Sequence, residues 1–167
     1  MLEFSRAETV SFSPAFDELA IDRTIVERDL GYRKVPAPEI VRHLIDEILP
    51  EVPLRLTIQC GFRILPLDLV SLTTDGILCG DVQISTGPII ANQLKKSKTV
   101  ALFVSTAGPL LEQWSQQLMA EGDMLKGFLV DAVGSEVADR ASEWLEKRIA
   151  EHVAPHGWAM TNRYSPG

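Results

Sequence analysis

"DMLKGFLVDAVGSEVADRASEWLEKRIAEHV", Asp123 to Val153, holds no proline and keeps apolar residues at helical spacing from end to end. Leu125, Phe128, Leu129, Ala132, Val133, Val137, Trp144, Leu145, Ile149 and Val153 form one stripe, the signature of a helix with a core-facing side. The spacing predicts a single helix of about 30 residues, ended by Pro155-His156-Gly157. A second stripe is small or acidic: Asp131, Gly134, Ser135, Ala138, Asp139 and Ser142. Glycine inside a helix costs roughly 1 kcal/mol against alanine, so Gly134 needs a reason. Either a neighbouring helix crosses closely here, or this face lines a pocket with its carboxylates exposed to a ligand. Asp131 and Asp139 are eight positions apart, too far to share one proton but able to look onto one groove.

Outward from this helix the chain alternates helical and strand periods. Upstream, "GPLLEQWSQQLMAEGD" is a helix entered through Gly108-Pro109 and ended near Gly122. Before it, "TVALFVSTAG" is a nearly continuous apolar run, which predicts a central strand covered on both faces. "TGPIIANQLKKS" is a short helix with Pro88 near its start. "DLVSLTT" and "ILCGDVQIS" flank Asp75-Gly76 and read as a hairpin. "LRLTIQCGFRILPL" alternates, with Leu54, Leu56, Ile58 and Cys60 on one side. Two helices precede it. One runs from Ser13-Pro14 to Gly31, and the other is "PEIVRHLIDEILPEV", stopped at Pro50. Residues 1–13 form an arm or a first short strand, and residues 14–167 a single domain. After the long helix, "WAMTNRY" is a final strand or extended run. The fold class is α+β, a twisted, mostly antiparallel or mixed sheet with helices packed on it.

Composition narrows the function. The apolar fraction is 46% and the charged fraction 23%, ordinary for a globular chain able to bury a core. A net charge of −7 repels phosphate backbones, and the one basic cluster is Lys95–Lys98, so no nucleic-acid partner is expected. No apolar run approaches the ~18 residues that a membrane span needs, and the N-terminus lacks the apolar core of a signal peptide. The expected location is the cytoplasm, with Cys60 and Cys79 as buried free thiols. His43, His152 and His156 match no zinc pattern, and His152 with His156 suits a helix C-terminus. No metal site and no catalytic residue is expected. The "STAGP" turn, Ser105 to Pro109, has amides that could hold an anion, a weak signal.

Three segments, taken in order, resemble a known family. Thr106-Ala107-Gly108 ends a strand, Asp131-Ala132-Val133-Gly134-Ser135 lies on the long helix, and Arg163-Tyr164-Ser165-Pro166-Gly167 closes the sequence. Together they resemble the C-terminal activation domain of cobalamin-dependent methionine synthase, and more closely the short free-standing proteins built on that domain. "LGYRK", Leu30 to Lys34, also matches. The similarity is clearest over residues 98–167, loose over 24–97 and absent over 1–12.

The resemblance implies a curved unit with a twisted antiparallel sheet that binds S-adenosylmethionine. Its partner would be a cobalamin-bearing methionine synthase or another corrinoid protein, with a flavodoxin-type electron donor. The cobalamin would sit on that partner. By position, Arg163 would pair with the ligand carboxylate, Ser165 and Gly167 would offer backbone groups, and Pro166 would fix the turn. Asp139 would face the ligand ammonium, while Tyr164, Asp131, Gly134 and Ser135 would line the pocket. In the family a tyrosine follows the glycine and helps position cobalamin; the sequence given stops at Gly167. Another reading is a non-catalytic interaction module of a different corrinoid protein, its ligand site decayed. An independent methyltransferase would need a glycine-rich loop after a first parallel strand, and none is visible.

Overall fold

The computed structural model describes residues 9–66, 70–79, 82–95, 97 and 99–165. The chain is a mixed α+β protein in which helices accompany small sheets. It forms β1 (Val10–Phe12), a 3-10 turn (Phe16–Leu19), α1 (Arg23–Asp29), α2 (Glu39–Ile48) and a second 3-10 turn (Val52–Arg55). Then come β2 (Gln59–Pro66), β3 (Val70–Leu72), β4 (Gly76–Cys79), β5 (Val82–Ser85), α3 (Gly87–Leu94) and β6 (Thr99–Thr106). The helices α4 (Leu110–Ala120) and α5 (Met124–Val153) follow, with a 3-10 turn (Ala154–His156) after them. Among the described residues no helix is long and apolar enough to cross a membrane.

The contacts divide into two compact units. One comprises Met1–Val10, Gly61–Phe103 and Glu146–Gly167; the other comprises Ser11–Cys60 and Val104–Leu145. The strand orders are β1-β2-β6 in one sheet and β3-β4-β5 in the other. The second sheet is an antiparallel meander, with Leu72 opposite Ile77 across the Asp75-Gly76 turn and Ile77 opposite Ile84. The Thr73 amide donates to the Gly76 carbonyl at 2.9 Å, which closes that turn as the sequence predicts. Ile77 and Val100 form a buried cluster with Leu65, Ile84, Leu94 and Leu102 against it. On the same unit the Phe62 ring meets His152 edge-on at 5.3 Å.

The other unit is built from helices. Asp22 caps α1, accepting the Ile25 amide at 3.0 Å. Gly31, at φ 97°, ends α1: the Gly31 amide donates to the Arg28 carbonyl at 3.1 Å and the Tyr32 amide to that of Glu27 at 2.9 Å. This paired closure needs a left-handed residue, which glycine adopts without penalty. Val26 on α1, Ile45 and Ile48 on α2, and Leu129, Val133, Val137 and Leu145 on α5 are all buried. The Arg55 guanidinium lies 4.3 Å from the Trp114 ring centre, joining the second 3-10 turn to α4. Cys60 is a buried free thiol, as expected; it donates to the Ala141 carbonyl at 3.8 Å, and burial raises its pKa. The expected state of Cys79 lies outside the described side chains, and residues 1–8 of the arm lie outside the described residues.

Several expectations are corrected. The single helix expected from Ser13 to Gly31 is two pieces, broken at Ala20, which takes a left-handed conformation at φ 51° just before the Asp22 cap. Leu54 is not in a strand: it sits in the 3-10 turn and is 75% exposed, so the alternation starts to count only at Ile58. From there it holds, with Ile58, Cys60, Phe62 and Ile64 buried. β6 is not central. Its neighbour β2 holds the middle of that sheet, Val100 is the one buried residue of β6, and Val104 is 70% exposed. Of the two forms expected for the final run, a strand or an extended run, no strand is seen over Trp158 to Tyr164.

The close helix crossing exists, but Gly134 is not the residue that permits it. A β-carbon at Gly134 would rest 3.6 Å from the Leu111 β-carbon of α4, an ordinary contact. At Gly127 it would fall 2.9 Å from the Ser115 carbonyl oxygen and 2.6 Å from the Met119 γ-carbon. There the two helices touch backbone to side chain: the buried Ser115 hydroxyl donates to the Gly127 carbonyl at 2.8 Å. Gly127→Ala should therefore destabilise the protein by about 1–3 kcal/mol through overpacking, despite its gain in helix propensity. Gly134→Ala should be neutral or stabilising by up to about 1 kcal/mol. Denaturant unfolding of both variants beside the parent measures the contrast, and equal effects of the two would contradict it.

Candidate functional site

The irregular run after α5 lies along a cavity. That cavity, about 470 Å³, belongs wholly to the unit that holds the meander. Its walls are Ile64, Ile77, Ile84, Val100 and Leu102 from the strands, Ile90 and Leu94 from α3, and Ile149 and Val153 from α5. Trp158, Met160, Arg163 and Tyr164 supply the last wall. Thr86, Ser97, Thr99, Thr161 and Asn162 add uncharged polar groups. A concave, mostly apolar space of this size with a few placed polar groups is the usual form of a small-molecule site. Among the described lining residues there is one carboxylate, Glu146, and one guanidinium, Arg163, whose Nη1 atom is buried.

The expected site residues are distributed as follows. Arg163 and Tyr164 line the cavity. Ser165 is exposed, and Pro166 and Gly167 lie outside the described residues. Asp139 and Ser135 line a different hollow, on the helical unit, with Val26, Asp29, Leu30, Phe128, Ala132 and Glu136. Asp131 is exposed, and Gly134 packs on Leu111. Ala138 and Ser142, the rest of the small stripe, meet β6: the Ser142 and Ser105 hydroxyls are 2.6 Å apart and both lie within reach of the Ala138 carbonyl. The "STAGP" turn uses its own amide, since the Gly108 N–H donates to the Thr106 hydroxyl at 3.0 Å. Among the described residues no group of histidines, cysteines and carboxylates could hold a metal ion.

Two residues escaped the sequence reading. Glu146 shares a helix face with Ile149 and Val153, at spacings of three and seven, so a carboxylate inside an apolar stripe was there to be seen. Glu136 likewise falls between Val133 and Val137 and is 8% exposed. Burial, and then the hydrogen bond it shares with Asp29 of α1, push the Glu136 carboxyl up to about 7. Arg140 opposes this shift; its Nε donates to Glu136 at 2.6 Å, and its Nη1 to Glu143 at 3.0 Å. Asp29 is held below the usual carboxylate range, first by Glu136 and then by Arg28, whose Nε lies 3.1 Å away. A carboxyl pushed up beside one held low is the elementary way to place two acids together. No protein-family model and no curated protein sequence matches the chain.

The sign of the resulting pH dependence is fixed by which state holds the proton more tightly. The folded protein keeps the Glu136 proton to about pH 7, the unfolded chain only to about 4.5, so stability falls as pH rises through that window. Asp29 acts in the opposite sense, and only at more acid pH. Unfolding measured between about pH 4.5 and 7.5 should show a decline of about 1–3 kcal/mol that Glu136→Gln abolishes. A decline of the same size in that variant would assign it to other groups.

Proposed function

We propose that the chain is an S-adenosylmethionine-binding reactivation subunit that acts in trans on a cobalamin-dependent methyltransferase, most simply methionine synthase. The observation that carries this reading is the position of Arg163. The residue that the family resemblance assigns to the ligand carboxylate lines a cavity of ligand size beside Tyr164 and Trp158. Guanidinium takes a carboxylate in a two-toothed, charge-assisted pair, and such pairs are stronger in partly dry surroundings. On this reading the fold is that of a methionine synthase activation domain, the protein is cytoplasmic, and a flavodoxin-type donor supplies the electron. Bound S-adenosylmethionine supplies the methyl group for cobalamin carried by the partner. The chain itself binds and orients the methyl donor, and the apolar walls keep water from its reactive end.

A second reading is a non-catalytic interaction module of another corrinoid protein. One observation favours it: Asp139, the acidic residue of the resemblance, lines the hollow with Asp29 and Glu136 rather than the cavity with Arg163.

Calorimetric titration separates the two. The first reading expects saturable binding of S-adenosylmethionine with a dissociation constant below about 1 mM, and about a tenfold or greater loss in Arg163→Ala. Absence of heat at millimolar ligand would exclude it and leave the interaction module.

A further inference from the structure

The cavity has an unspent charge. Glu146 is the one carboxylate among its described lining residues, and it stands on the α5 wall with Ile149 and Val153. It is partly buried, and it makes no hydrogen bond or ion pair with any described residue. Three other acids of the helix are engaged elsewhere: Glu136 and Glu143 hold Arg140, and Glu151 holds Arg148. A carboxylate left beside apolar walls is incompletely solvated, and a cation entering the same space relieves that cost. Arg163 brings the opposite charge to the same lining.

We propose that Glu146 is the residue that reads the positive charge of the cavity's ligand, in the role that the family resemblance gives to Asp139. The inference rests on the cavity being the S-adenosylmethionine site; that ligand presents a sulfonium and an ammonium, either of which a carboxylate attracts. It assigns to this chain a preference for cationic, amino-acid-bearing ligands over neutral ones of similar shape. No chemical step is required of Glu146: it positions the ligand and selects for charge.

The test is a charge series at one position, read by calorimetric titration of the full chain with S-adenosylmethionine. Affinity should follow charge: Glu146→Asp close to the parent, Glu146→Gln weaker by about tenfold, and Glu146→Lys weaker still. Raising salt should shrink the gap between the parent and Glu146→Gln. Asp139→Asn should leave affinity unchanged. Circular dichroism and melting of each variant check folding, and the near-isosteric Glu146→Gln keeps the test valid should the lysine variant fail to fold. Equal affinity of the parent and Glu146→Gln would overturn the assignment while leaving the site intact, as would equal losses in Glu146→Asp and Glu146→Gln. A parent protein that binds no S-adenosylmethionine would instead remove the reading on which the assignment rests.

Discussion

A helix of 30 residues must bury a face along its whole length, and α5 meets this constraint in two different ways. Helical propensity alone leaves even good helices marginal in water, so packing must supply the stability. Over Leu129 to Leu145 that packing is helical and tight, with Val130, Val133, Val137 and Ala141 all fully enclosed. Over Ile149 and Val153 the same helix serves the unit that holds the meander, where the space beside it is incompletely filled. A close-packed stretch and a cavity-bordering stretch therefore lie on one element.

The tight stretch also explains the small stripe, which carried two readings in the sequence. Most of its members have packing partners: Gly134 meets Leu111, while Ala138 and Ser142 meet Ser105 of β6. A closer approach lies two turns earlier on the same face, at Gly127, where the Ser115 hydroxyl closes on a helix carbonyl. Ser115 is itself only 3% exposed, and such a buried hydroxyl requires a partner. That hydrogen bond fixes the register of α4 on α5 in a way apolar contacts alone do not. Small residues in a helix thus mark proximity but do not say to what.

Periodicity made the long helix legible, and so did the alternation from Ile58 to Ile64, the Asp75-Gly76 turn and the Gly31 stop. Each is a local property: a repeat, a turn chemistry or a residue tolerant of positive φ. The failures are not local. The apolar content of β6 suggested coverage on both faces, but its place in the strand order depends on β2, many residues earlier. Ala20 breaks a continuous helical pattern through a left-handed residue that alanine rarely adopts, so nothing in its type announced it. Leu54 looked like the start of an alternating strand because leucine fits either pattern, and the neighbouring Pro53 belongs to a 3-10 turn.

The charged residues follow the same division between local and distant causes. Glu136 could be recognised as buried from its place in the apolar stripe, but part of its raised pKa depends on Asp29, over a hundred positions away. Arg163 was picked out by its neighbours in the sequence and does line the cavity; Asp139, picked out in the same way, lines the hollow beside Glu136. Asp139 shares its hollow with Asp29 and Glu136, so a cation there would be divided among three acids. Glu146 has no such competitor among the described residues of its cavity. In a space walled mainly by isoleucine, leucine and valine, the one acid and the one guanidinium among the described lining residues act over a longer reach than they would in water. On the proposed reading, a zwitterionic ligand would meet both charges within one lining.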